Sequence, residues 1–292
     1  MYLAYILFIL ILLNKEEAFT EKTSRVDIIA HRGASDYAPE NTLAAFDKAI
    51  QCNTDYLEFD IQMSEDGEII VIHDSTVDRT TNGSGDIVQL NVNQLKKMDA
   101  GSWFNSSFTG EVIPTLDEVL KRYKGKTNFL IEVKNPAMYE GIEGELVQRI
   151  RRNNLEKDVV IQSFDHYFLK KMVCSHPNIS TCLLLNGLEE LKEGDLDYYS
   201  EIAKYINIPF FMLDHQVVKK FHSLGMKVYT WGIDSTSKFR QMMSIGVDGI
   251  ITNDPCHIRN GKGSEENTFK LNDFIGVVSK CMKYFIDYFE DK

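Results

Sequence analysis

His31 and Arg32 stand directly after an apolar run, Ile28-Ile29-Ala30, and Gly33 follows them. An imidazole moves protons near neutral pH, and a guanidinium grips phosphate or carboxylate in two parallel hydrogen bonds. The same pattern recurs along the chain. Glu58 and Asp60 interrupt YLEFDI, Glu132 and Lys134 close NFLIEV, and Trp231 closes KVYTW. Residues two apart on a strand point to one side, so Glu58 and Asp60 share a face, as do Glu132 and Lys134. Carboxylates at 58, 60 and 132 brought to one mouth would repel one another unless a cation sat between them. Oxygen ligands are hard, and one divalent cation, Ca²⁺ or Mg²⁺, suits them. Burying any of these groups in an apolar strand without a partner is costly, so their recurrence at strand ends points to a shared site.

The elements that must position them are short strands alternating with helices. The strand-like runs are VDIIA (26–30), YLEFDI (56–61), NFLIEV (128–133), VVIQSF (159–164), TCLLL (181–185), PFFML (209–213), KVYTW (227–231) and GIIT (249–252). Amphipathic stretches lie between them. TLAAFDKAIQ (42–51) has one apolar face, TLDEVLKRY (115–123) opens with a Thr115/Glu118 capping box, and HQVVKKFHSLG (215–225) ends in glycine. Strand–helix alternation implies a parallel sheet, and eight such strands imply an α/β fold of the (β/α)₈ TIM-barrel class. Active sites of that fold lie at the C-terminal strand ends, where all the residues above fall. In Pro39-Glu40-Asn41-Thr42 the expected helix cap is Asn41 or Thr42, with Glu40 an indirect support for the site.

One run breaks the rhythm. EIIVIH (68–73) follows YLEFDIQM after only SEDG. A parallel crossover needs a dozen or more residues, so this run must return antiparallel as a β-hairpin, turning at Asp66-Gly67. Its return arm carries His73 down to about the level of Glu58. Residues 74–114 then form an insertion over the same rim.

Composition sets outer limits. The chain has 292 residues, 43% of them hydrophobic, and a formal net charge of -11. No basic cluster stands out, so a nucleic-acid partner is not expected. The five cysteines contain no CxxC, which argues against a thiolate zinc site. They read mostly as small buried apolar residues. The start, MYLAYILFILILL, is too short to span a bilayer and matches the hydrophobic region of a signal peptide. The expected organisation is an apolar signal or anchor segment (1–25), a barrel domain (26–260) and an amphipathic extension (261–292). The expected location is extracytoplasmic, secreted or attached to the membrane through the first segment, with a cytoplasmic protein as the alternative. In the extension, Leu271, Phe274, Ile275, Val278, Cys281, Met282, Phe285, Ile286 and Phe289 mark one helical face.

Longer stretches carry a resemblance. HRGASDYAPENTLAAF, EFDIQMSEDGEIIVIHDSTVDRTTNGSG, DAGSWFNSSFTGEVIPTLDEVL, IEVK, QSFDH, VYTWGID and GVDGIITNDP, in this order, resemble the glycerophosphodiester phosphodiesterase family over most of residues 26–259. The resemblance implies a barrel of the phospholipase-C-like phosphodiesterase type and hydrolysis of small-molecule glycerophosphodiesters to glycerol 3-phosphate and an alcohol. It also implies His31 and His73 as the acid–base pair and Glu58, Asp60 and Glu132 as metal ligands. Arg32 and Lys134 match phosphate contacts, and Trp231 a wall of the substrate site. Where the family often reads WTVN, this chain has Trp231-Gly232-Ile233-Asp234, and the glycine is expected to widen that corner. The rival readings are a related barrel phosphodiesterase acting on lysophospholipid or teichoic-acid-type substrates, and a non-catalytic barrel that binds a polyol phosphate.

Overall fold

A parallel sheet buried on both faces needs apolar residues pointing both ways, and the strands here supply them. In the computed structural model, which describes residues 25–187, 191, 196–233 and 235–263, β1 (Asp27–Ala30) pairs parallel with both β2 (Tyr56–Met63) and β9 (Gly249–Thr252). Between these run β4 (Asn128–Val133), β5 (Val159–Ser163), β6 (Ser180–Leu184), β7 (Tyr205–Pro209) and β8 (Lys227–Trp231), each parallel to its neighbour. The β1–β2 pairing closes the sheet into an eight-stranded parallel barrel. The segments 1–24 and 264–292, with the expected N-terminal and C-terminal elements, lie outside the described residues.

Alternation along the strands separates two cores. Ile28, Leu57, Phe59, Phe129 and Ile131 face outward and pack with helix residues such as Phe46, Leu120 and Leu146. Ile29, Leu130, Val160, Cys182, Tyr229 and Ile251 face inward and fill the barrel. The helices follow their signals. In α1 (Leu43–Gln51) the cap is Thr42, whose hydroxyl accepts from the Ala45 N–H. After the short α2 (Val92–Leu95) in the insertion, α3 (Leu116–Tyr123) opens with the Thr115/Glu118 box and buries Leu116, Val119, Leu120 and Tyr123. Next come α4 (Ile142–Arg152), α5 (His166–Ser175), α6 (Leu196–Ile202) and α7 (His215–Ser223); past α7, Gly225 takes the left-handed φ expected of it. The last two are α8 (Thr236–Ser244) and α9 (Pro255–Gly263).

Three expectations need correction. The sixth stave is not PFFML: β7 is Tyr205–Pro209, and Phe210–Met212 is a 3₁₀ turn. The chain YINIP alternates inward Tyr205 and Asn207 with outward Ile206 and Ile208, and Pro209 ends the strand because it has no N–H to give. The hairpin is antiparallel as expected, with β3 (Ile69–Val71) against β2, but Ile61 pairs with Val71. Carried two residues past β3, that register sets His73 opposite Phe59, within one residue of the expected level. At the turn Glu65 and Asp66 are exposed, whereas Ser64 is buried, its hydroxyl donating to Asp66 at 2.7 Å. Beyond the hairpin the insertion has its own small core of Ile70, Ile72, Val77, Ile87, Leu95, Ala100 and Ile113.

The third correction concerns the cysteines. Cys52, at the end of α1, is disulfide-bonded to Cys256 in α9, with Cα atoms 4.8 Å apart. The bond ties the first barrel helix to the last, beside the β1–β9 seam. Arg259 reinforces it by donating to the Asn53 carbonyl and the Asp55 carboxylate, both at 2.6 Å. Cys182 remains the small buried core residue expected, while Cys174 is an exposed free thiol. Reduction, or Cys52→Ser, is expected to cost about 2–5 kcal/mol by releasing a long loop in the unfolded chain. Calorimetry with and without a thiol reductant should read this as a Tm lower by roughly 5–15 °C. An unchanged Tm would mean that the seam is held by packing alone.

Candidate active site

The turn after β1 needs two unusual backbone conformations in succession. Arg32 has φ +54° and Gly33 φ +84°. A Cβ on residue 33 would sit 2.7 Å from the Ala45 backbone, so only glycine lets α1 approach this closely. Arg32 has no such freedom, and its left-handed backbone is held from several sides. Its N–H donates to Glu58 Oε2 at 2.8 Å, and its carbonyl accepts from the Asn41 N–H at 3.0 Å. Its guanidinium donates to Glu40 Oε1 at 2.8 Å and lies 3.3 Å from Asp60 Oδ2.

The half-buried His31 precedes it. Its Nδ1 is 2.6 Å from Asn253 Oδ1, just past β9. Burial and the adjacent Arg32 charge push the imidazole down to about 4, although the Asn253 contact pulls the other way. His31 is therefore neutral at pH 7. With its Nδ1–H donated to Asn253, the lone pair on Nε2 is free to take a proton.

Glu58 and Asp60 are each 1% exposed and Glu132 is 7% exposed. One carboxylate oxygen from each lies within 4.8 Å of the others. Burial, with Asp60 and Glu132 beside it, raises Glu58 well above the usual carboxylate range. Burial and Asp60 likewise raise Glu132 to about 7. Asp60 is held below its ordinary value despite burial, because Arg32 and Lys134 lie against it. Lys134 Nζ contacts Glu132 Oε1 at 2.5 Å and lies 3.5 Å from Asp60 Oδ1. Two cations thus serve three buried carboxylates. The remaining strain, and an all-oxygen donor set, fit one divalent cation held by Glu58, Asp60 and Glu132.

The inner wall continues the network. Gln162 on β5 donates to Glu58 Oε1 at 3.0 Å, and Asn207 on β7 donates to Gln162 Oε1 at 3.0 Å. Asn41 donates to Asp60 Oδ2 at 2.9 Å, so in PENT the helix cap is Thr42 and Asn41 serves the site. On the hairpin, Gln62 holds the His73 carbonyl at 2.9 Å, and His73 Nδ1 is 2.6 Å from Asp74 Oδ1. Both imidazoles lie within electrostatic reach of Asp60. Trp231 stands half-buried at the end of β8, its indole N–H without a hydrogen-bond partner. The corner at Gly232 is not widened as expected. Phe210 fills it, and its ring would meet a Cβ at 3.1 Å.

All eight residues singled out in the sequence thus lie at the barrel mouth: at the ends of β1, β4 and β8, along β2 where it leaves the barrel for the hairpin, or just past the return arm of that hairpin. Asn253, Gln162, Asn207, Asp74 and Arg79 escaped that reading. Two signals were there: Asp74, Arg79, Gln162 and Asn253 lie within the family-like stretches, and Gln162 and Asn207 are inward polar residues on apolar strands.

Known proteins are similar to this chain in sequence and in fold. A sequence profile of the glycerophosphoryl diester phosphodiesterase family matches residues 31–257. The glycerophosphodiester phosphodiesterase of Caldanaerobacter subterraneus is 41% identical over 234 residues, covering 78% of this chain and 94% of its own. One from Bacillus subtilis is 33% identical over 247 residues, 79% of this chain and 84% of its own. Among solved structures, an Oleispira antarctica phosphodiesterase in complex with the product sn-glycerol-3-phosphate superposes with a TM-score of 0.75 at 27% identity, over 81% of this chain and 96% of its own. A profile match from the histidine after β1 to the start of α9, on a closed barrel with its acidic cluster at the mouth, leaves one assignment: this chain belongs to the glycerophosphoryl diester phosphodiesterase family.

Proposed function

We propose that this phosphodiesterase hydrolyses glycerophosphodiesters to glycerol 3-phosphate and an alcohol by proton transfer between substrate and two histidines, beside one divalent cation. The observation that carries the reading is the buried Glu58/Asp60/Glu132 cluster with His31 and His73 both in electrostatic reach of it. The cation, Ca²⁺ or Mg²⁺, would supply positive charge against the phosphodiester anion. The chain's own residues do the rest. Arg32 and Lys134 add charge as the transition state forms. Neutral His31 takes the proton of the glycerol 2-hydroxyl through Nε2, and that oxygen bonds to phosphorus. The bond from phosphorus to the departing alcohol breaks, and His73 returns a proton to that oxygen. Water then opens the cyclic phosphate with the two roles exchanged, leaving glycerol 3-phosphate. Trp231 walls the side on which the substrate's organic groups lie. The product bound by the Oleispira antarctica relative supports this choice of substrate.

The test is direct. The purified protein is incubated with several glycerophosphodiesters and Ca²⁺ or Mg²⁺, and released glycerol 3-phosphate is assayed. Release from none of them would reject the reading, and the ranking of rates reports the preferred alcohol.

An extracytoplasmic location is part of the same proposal. Its support is the apolar stretch at 1–13 and the Cys52–Cys256 disulfide, since such bonds persist mainly in oxidising compartments. No helix among the described residues is long and apolar enough to cross a membrane. Fractionation combined with thiol alkylation tests it: recovery of Cys52 and Cys256 as free thiols in the cytoplasm would reject it.

A further inference from the structure

Arg79 lies in the insertion, five residues beyond the hairpin's Asp74, and its guanidinium grips two carboxylates at once. Nε and Nη2 donate to Asp74 Oδ2 and Oδ1 at 2.7 and 3.0 Å. Nη1 and Nη2 donate to Glu40 Oε2 and Oε1 at 2.8 Å each. Each carboxylate has a second duty. Asp74 Oδ1 is 2.6 Å from His73 Nδ1, and Glu40 Oε1 accepts from Arg32 at 2.8 Å. An unbroken line, Arg32–Glu40–Arg79–Asp74–His73, therefore joins the turn after β1 to the hairpin.

We propose that Arg79 is a positioning residue for His73, acting through Asp74 and anchored to the barrel by Glu40. The proposal rests on the reading of His73 as a proton carrier. His73 has one ring nitrogen for the substrate only if the other is committed. Asp74 commits Nδ1, and Arg79 commits Asp74 by donating to both of its oxygens. Arg79 and the hydrogen bond from His73 hold the Asp74 carboxyl far below its usual range, so it stays an acceptor for Nδ1–H. Nε2 is then the atom that exchanges protons. Stability is a poor reason for this arrangement, because Arg79 is 44% exposed and exposed ion pairs add little. Geometry is the better one: a fork of planar donors fixes two carboxylates in direction as well as distance.

The test compares Arg79→Ala, Arg79→Lys, His73→Ala and Arg79→Ala/His73→Ala on a natural glycerophosphodiester and on an aryl ester with a good leaving group. Arg79→Ala should lower kcat roughly 10–100-fold, by analogy with the loss of outer partners that orient metal-binding histidines. Tm should move little. Arg79→Lys should not rescue, since one ammonium cannot hold both carboxylates in parallel pairs. The loss in Arg79→Ala should depend on leaving group as that of His73→Ala does, and should nearly vanish when His73 is already alanine. An equal loss with and without His73, or full rescue by lysine, would overturn the proposal. Wild-type activity in His73→Ala would instead sink the mechanism above and this proposal with it.

Discussion

Stripping divalent cations with EDTA is expected to abolish turnover of glycerophosphodiesters, and added Ca²⁺ or Mg²⁺ to restore it. The physical reason lies in the protein before any substrate arrives. Glu58, Asp60 and Glu132 are almost fully buried, and Arg32 and Lys134 leave them under-compensated. Burial and Asp60 raise Glu132 from 4.5 to about 7, so the folded metal-free protein keeps a proton there that the unfolded chain would release. Stability must then fall as pH rises through the window from 4.5 to about 7. A divalent cation replaces that proton and should flatten the dependence. Scans of Tm from pH 5 to 8, with EDTA and with Ca²⁺ or Mg²⁺, check this without reference to activity. Full turnover in a demonstrably metal-free sample, or identical Tm profiles in the two conditions, would refute the cation site.

Replacing either histidine is expected to cost roughly 10²–10⁴ in rate, the range for a positioned general acid or base. The fold should survive both changes. His31 sits at the barrel mouth with one side-chain hydrogen bond, to Asn253, and His73 lies on the hairpin with part of its side chain in solvent. A substrate with a very good leaving group separates the two roles. Such an alcohol departs without a proton, so His73→Ala should recover much of its rate there. His31→Ala should not, because the 2-hydroxyl still needs a base. Equal recovery of both variants would reverse or merge the two assignments while leaving the site in place.

Which parts of this were legible in the chain follows from the range of the forces involved. The hairpin could be read locally, because four residues between two strands permit no parallel crossover. The Thr115/Glu118 box and the glycine after α7 were equally local, since each depends on backbone groups a few residues away. The carboxylates and His31 were legible because each interrupts or ends an apolar barrel strand. PFFML misled because apolarity alone does not distinguish a strand from a 3₁₀ turn. Inward Asn207 makes the true strand, YINIP, look less apolar than the turn that follows it.

The sequence by itself determined the barrel, the rim on which the site lies and the residues at its centre, because strand–helix alternation and polar residues breaking apolar runs are properties of neighbouring residues. Only the tertiary structure decided which distant groups complete those residues. Asn253 reaches His31 across 222 positions, Gln162 reaches Glu58 across 104, and Glu40 meets Arg79 across 39. The Cys52–Cys256 bond spans 204. Closing the barrel brings β1 beside β9 and the insertion beside the PENT turn. Hydrogen bonds act over about 3 Å of space whatever the separation along the chain, so these partners exist only once the barrel has closed.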